Sequence, residues 1–133
     1  MLHQSFVKIC VLASILCLSS LIVSSTKFFT TKCHSEFTGS DSDDIIVCKD
    51  GRNSEQQNCH KKQCWLNGNQ WVQLDGCVIA GSHGGVSKQQ CVRYNWMEDD
   101  GVFECHNDGG RDYYCGGTPE TIPFITCTSC FST

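Results

Sequence analysis

Between residues 33 and 130 the chain places ten cysteines, at positions 33, 48, 59, 64, 77, 91, 105, 115, 127 and 130. An even set at this density means either a disulfide framework or metal centres, and the redox compartment decides between them. The first 25 residues bear on the compartment. Met1 to Lys8 is short and weakly basic, residues 9–23 form an apolar run, and Val23-Ser24-Ser25 offers the small residues a signal peptidase needs. The pattern predicts a secretory signal peptide over 1–25 and a single cysteine-rich domain over 26–133. An apolar run of about fifteen residues is shorter than the roughly 20 of a spanning helix, and no second such run follows. The expected product is secreted and extracellular, with no membrane span after cleavage and with delivery into a host cell left open.

Cleavage discards Cys10 and Cys17, and export oxidises the remaining ten cysteines. Bridges are also needed on energetic grounds. Beyond residue 25 the only leucine, alanine and methionine residues are Leu66, Leu74, Ala80 and Met97, so little aliphatic core material is present. Each disulfide stabilises a small domain by about 2–4 kcal/mol, which replaces part of the missing burial.

Charge excludes rather than selects. The whole chain has 10 Lys and Arg against 14 Asp and Glu, with the basic residues scattered apart from Lys61-Lys62. That distribution favours neither nucleic acid nor an anionic membrane. Asp41, Asp43 and Asp44 lie in a Ser/Gly-rich stretch without the spacing of a calcium loop, and read as solvated.

Turn dipeptides recur at Asp50-Gly51, Asn67-Gly68, Asp75-Gly76, Asp100-Gly101 and Asn107 to Gly110. Such pairs supply the positive backbone angles of tight hairpins. Between them, residues 45–48, 70–74, 77–80, 91–96, 102–106, 113–115 and 122–127 are rich in β-branched and aromatic side chains and read as strands. In 91–96, Val92, Tyr94 and Trp96 alternate with Cys91, Arg93 and Asn95, which predicts two opposite faces. The expected fold is small, disulfide-rich and mainly β, with antiparallel hairpins in a meander and little helix.

Two cysteine blocks, 48–77 and 91–127, each contain a Cys-His pair (Cys59-His60 and Cys105-His106) followed by two further cysteines. This reads as a diverged duplication with bridges inside each block and an outer Cys33–Cys130 pair. Zinc is the competing use of Cys127-Thr128-Ser129-Cys130 and of the histidines beside cysteines. Neighbouring strand residues face opposite sides, so an adjacent Cys and His do not converge on one ion. His60 and His106 are therefore expected to be incidental polar neighbours, with no metal and no cofactor. A complete set of bridges leaves no thiol nucleophile, and Ser82-His83 in a glycine-rich loop has no nucleophile-elbow context. No catalytic residue is assigned, and the chain is expected not to be an enzyme.

A rigid disulfide frame that displays aromatic side chains suits recognition. Trp65, Trp71, Tyr94 and Trp96 are the candidate ligand-binding residues. The signal peptide, the ten cysteines and the aromatic-x-Cys steps Phe103-Glu104-Cys105 and Tyr113-Tyr114-Cys115 together resemble the small secreted cysteine-rich effector candidates of plant-pathogenic, rust-type fungi. That resemblance implies binding of a host molecule or suppression of host defence; some members resemble zinc-binding or ribonuclease-like folds. Cysteines 48, 59, 64, 77, 91 and 105 are also similar in spacing to the invertebrate-type chitin-binding domain, although His60 to Gln63 stands where that family has an aromatic strand. The expected function is a secreted binding protein of the effector type acting as a virulence factor. Its partner is expected to be a host protein or an extracellular glycan, with chitin or glycan binding as the second reading and a zinc-binding effector as the third. Oligomeric state stays open.

Overall fold

The computed structural model describes residues 26–39, 43–51 and 55–132; the predicted signal peptide and Asp41 lie outside them. Ten antiparallel strands form one continuous hydrogen-bonded network. They are β1 Phe29–Cys33, β2 Glu36–Thr38, β3 Ile45–Lys49, β4 Gln56–His60, β5 Cys64–Trp65, β6 Val72–Ile79, β7 Ser87–Met97, β8 Val102–Asn107, β9 Asp112–Cys115 and β10 Ile125–Phe131. Among the described residues there is no α-helix, and one 3-10 turn, Lys61–Gln63, separates β4 from β5. The disulfide-rich, mainly β fold expected from the sequence is the fold observed. No helix among the described residues is long and apolar enough to cross a membrane.

The network divides into two parts. Strands β6, β7, β8 and β9 pair in sequence, and β9 pairs back onto β6, which closes a four-stranded ring. The remaining strands make an open sheet in the order β1-β10-β4-β3-β2, with β5 also on β10. The parts join where β2 pairs with β7, Phe37 opposite Tyr94.

Hairpin turns fall where the dipeptides place them. Leu66 and Asn69 exchange both backbone hydrogen bonds around Asn67-Gly68, whose φ angles of 49° and 82° suit a two-residue turn. The loops at 98–101 and 108–111 connect β7 to β8 and β8 to β9. Asp75-Gly76 is different. Residues 70–74 and 77–80 do not make two strands; β6 runs from Val72 through to Ile79 with its register shifted between Leu74 and Cys77. Gly76, at φ 64°, sits in this bulge rather than in a hairpin turn. The bulge bends β6 so that its end meets β9, with Val78 opposite Tyr114 and Ile79 opposite Tyr113.

Two more bulges correct the expected side-chain pattern. In β7 the register shifts between Cys91 and Arg93, so Val92 is the extra residue. Cys91 and Tyr94 are consequently both in the core, and the strict alternation predicted for 91–96 does not hold. In β10 the register against β1 shifts between Cys127 and Cys130. An unbulged strand would point residues three apart to opposite faces. Here both cysteines turn inward, and Cys127-x-x-Cys130 is a bulge that places two disulfides.

The five bridges are Cys33–Cys48, Cys59–Cys130, Cys64–Cys127, Cys77–Cys115 and Cys91–Cys105. The expected Cys33–Cys130 pair does not form, and only Cys91–Cys105 stays within one predicted block. Register explains the pairing. Cys59 faces Cys130 across β4 and β10, Cys64 faces Cys127 across β5 and β10, and the 3-10 turn lets β4 and β5 share one neighbour. Three bridges lie in the open sheet and two in the ring; none joins the two parts.

The core is largely sulfur and aromatic. All ten cysteines are fully buried, together with Phe37, Phe103, Ile46, Leu74, Val72 and Ile125. Tyr94 occupies the junction, with Phe37 and Phe103 at centroid distances of 6.0 and 6.1 Å. Its hydroxyl donates to the Cys33 carbonyl and accepts from the Ile125 amide at 3.2 Å. One side chain of the ring thus satisfies the end of β1 and the start of β10.

Candidate functional site

The aromatic residues singled out in the sequence do not converge. Tyr94 is 1 % exposed and its hydroxyl is spent on the backbone, so its expected ligand-binding role is replaced by a structural one. Trp96 is half-buried on β7 against Phe103, 5.0 Å between centroids. Trp71 is half-buried just before β6, and Trp65 is exposed on β5. Ring signals that the sequence reading passed over are brought together instead. Phe28, His60 and Phe131 form a three-ring cluster with centroid separations of 5.9, 6.1 and 5.8 Å.

The cluster follows from register. Cys59 and Cys130 face the core, so their neighbours His60 and Phe131 face outward. Phe29 pairs with Cys130, which sets Phe28 beside Phe131. Further along the same outer face, Trp65 lies across from Thr126, and Thr126 from Lys32. Lys32 Nζ stands 5.3 Å from the centre of the Phe124 ring. A groove of about 440 Å³ opens beside His60, lined by Asp44, Ile45, Lys62, Gln63 and Ser129. This face combines exposed rings with charged and amide groups at its rim, the composition of a recognition surface.

The ring has a contrasting outer face. Arg93 and Asn95 on β7, Glu104 and His106 on β8, and Asp112 and Tyr114 on β9 alternate with buried neighbours. Register arranges them in two rows, Arg93-His106-Asp112 and Asn95-Glu104-Tyr114. The β7 bulge aligns the first row by setting Val92 and Arg93 together against His106. His106 Nδ1 meets Asp112 Oδ1 at 2.7 Å, and an Arg93 terminal nitrogen donates to the Gly39 carbonyl at 3.0 Å. A groove of about 350 Å³ runs between Thr38 and Arg93, Asn95, Glu104, His106 and Asp112, with Tyr114 outside its lining.

The histidines have separate surroundings. His34 Nδ1 is 3.1 Å from the Pro119 carbonyl and its ring lies on Phe124 at 3.9 Å, while His83 is exposed in the glycine-rich loop. Sulfur atoms do gather. Three groups (Cys33, Cys48 and Cys127; Cys59, Cys127 and Cys130; Cys91, Cys105 and Cys115) each bring three within 4.8 Å. Every one of these atoms is in a disulfide, and a disulfide sulfur offers no thiolate to a metal. Cys33 and Cys127 Sγ, 3.6 Å apart, are two bridges in van der Waals contact.

No family model, no curated protein and no solved structure matches this chain.

Proposed function

We propose that the protein is a secreted binding protein of the effector type, which recognises a host protein through the outer face of its open sheet. The observation that carries this reading is the Phe28-His60-Phe131 cluster, in which exposed Phe28 and His60 meet half-buried Phe131 beside strands that the Cys59–Cys130 bridge holds together. Phe28 and Trp65 are 54 % and 42 % exposed, which leaves aromatic surface open to solvent on this face. Rigid aromatics lose little entropy on binding, and a fixed β frame lowers that cost further. Five buried disulfides and the lack of a spanning helix among the described residues are compatible with export.

The test compares the oxidised wild-type protein with the Phe28→Ser/Phe131→Ser double variant. A protein retained from plant extracellular fluid is purified and titrated against both. Loss of the ring cluster is expected to weaken binding at least about tenfold, in line with hot-spot aromatics, with circular dichroism unchanged. Equal affinity for the two would refute the aromatic face as the binding surface.

A further inference from the structure

We infer that the outer face of the ring carries a second site, for a neutral oligosaccharide, centred on His106. This site stands apart from the aromatic face and does not depend on it.

The argument starts from the mixture of groups. Arg93 and Asn95 donate hydrogen bonds, Glu104 and Asp112 accept them, and His106 has a ring nitrogen to spare once Nδ1 is engaged by Asp112. A ligand made of hydroxyl groups, each able to donate and accept, matches that set. An anion does not, because Glu104 and Asp112 stand in the same groove as Arg93 and offset its charge. Carboxylate, amide and guanidinium groups are planar and bidentate, which suits adjacent hydroxyls on a sugar ring. Tyr114, 37 % exposed beside Glu104 in the second row, offers a ring for stacking.

Placement adds to composition. The six side chains project from three neighbouring strands of a closed ring with two bridges inside it, so their spacing is set before any ligand arrives. The groove volume of about 350 Å³ falls within the range of small-molecule sites, roughly 300–1,000 Å³. A second groove of about 330 Å³ shares His106 and continues past Asn107 and Asp108 to Lys61 and Gln70 of the open part. Gln70 spends its amide nitrogen on the Lys61 and Cys64 carbonyls, at 2.6 and 3.2 Å, which leaves its oxygen to accept. Two polar grooves that meet at one histidine fit a ligand of several linked units.

The experiment titrates the oxidised, full-length secreted protein with chitohexaose, cellohexaose, mannohexaose and, as an anionic control, an oligogalacturonate, using amide chemical shifts as the readout. Saturable binding of at least one neutral hexaose is expected, with shifts concentrated on residues 93–95, 104–106 and 112–114. Glu104→Ala and His106→Ala are each expected to weaken it at least about tenfold. Phe28→Ser/Phe131→Ser is expected to leave it unchanged, which separates this site from the aromatic face. Absence of saturable binding for every neutral probe up to about 10 mM, binding of the anionic control alone, or binding that survives Glu104→Ala would each overturn the assignment. Glu104 is exposed, so its variant retains the fold; Glu104→Gln, which preserves shape but loses the charged acceptor, provides the second check.

Discussion

The ring and the open sheet solve the same problem, a small core, in opposite ways. The ring uses one uninterrupted stretch, from Val72 to Cys115, whose strands follow one another through short loops. The open sheet draws on both ends of the described chain, and β10 sits between β1 and the β4/β5 edge. Their bridges differ accordingly. Those of the ring span sequence separations of 14 and 38, whereas the open sheet has separations of 63 and 71 beside one of 15. A hairpin ring brings its cysteines together through local turns. The open sheet pairs distant segments, and its long-range bridges restrict the unfolded chain most.

The largest test of that contrast is removal of the Cys64–Cys127 bridge by a double serine substitution. With Cys59–Cys130 still in place, the Cys64–Cys127 bridge closes a further loop of only about ten residues, worth roughly 2–3 kcal/mol on the chain-entropy scale. The expected outcome is loss of hydrogen-exchange protection across β1, β4, β5 and β10 while β6 to β9 stay protected. Uniform loss through both parts would show that they fold as one unit.

A smaller effect is expected at the junction. Tyr94→Phe leaves the Cys33 carbonyl and the Ile125 amide without their buried partner, a cost of roughly 1–3 kcal/mol measurable by denaturant unfolding. The same hydroxyl has a pH signature. Desolvation raises the pKa of Tyr94 far above its ordinary value, although the Ile125 amide pulls the other way. The unfolded chain releases this proton from about pH 10 upward while the folded chain holds it. Stability from this group is therefore complete below pH 10 and declines as pH rises beyond it. Tyr94→Phe should lack that part of the alkaline decline, and an identical alkaline profile in both proteins would place the transition elsewhere.

The smallest effect sharpens the account of ring closure. Gly76 has a φ of 64°, and a side chain added there meets only the Gly116 backbone at 3.6 Å, which is ordinary contact. Gly76→Ala should therefore cost about 1–2 kcal/mol through backbone conformation alone, lowering the thermal midpoint without disturbing the open sheet. No loss would mean that the bulge relaxes freely.

Legibility of the sequence followed the same division. The ring is the more readable part, because Asp100-Gly101 and Asn107 to Gly110 act within a few residues and mark its turns directly. Strands β1, β2, β4 and β5 were not anticipated: Phe29–Cys33 and Gln56–His60 carry polar residues that become strands only through their neighbours. The surface residues were harder still. The sequence points to Tyr94 as a ligand contact, yet it is core, while Phe28 and Phe131, which no local pattern marks, form the ring cluster with His60. The adjacent Cys-His pairs contained a usable signal, since an inward cysteine puts its neighbour outward.

By itself, the sequence determined the class of fold: cysteine density, scarce aliphatic residues and closely spaced turn dipeptides leave a crosslinked β structure as the way to build a core. Sites of positive φ were also marked, because a residue's access to positive φ is a property of one or two residues, but whether such a site turns the chain, as at Asn67-Gly68, or bulges a strand, as at Gly76, was not. Tertiary structure alone decided which cysteines meet and which side chains share a face. A single extra residue at Val92, and another between Cys127 and Cys130, reverses the facing of everything beyond it, and whether a bulge forms depends on the partner strand. Pairing across 63 or 71 residues is a matter of register between distant segments, on which local preferences have no hold.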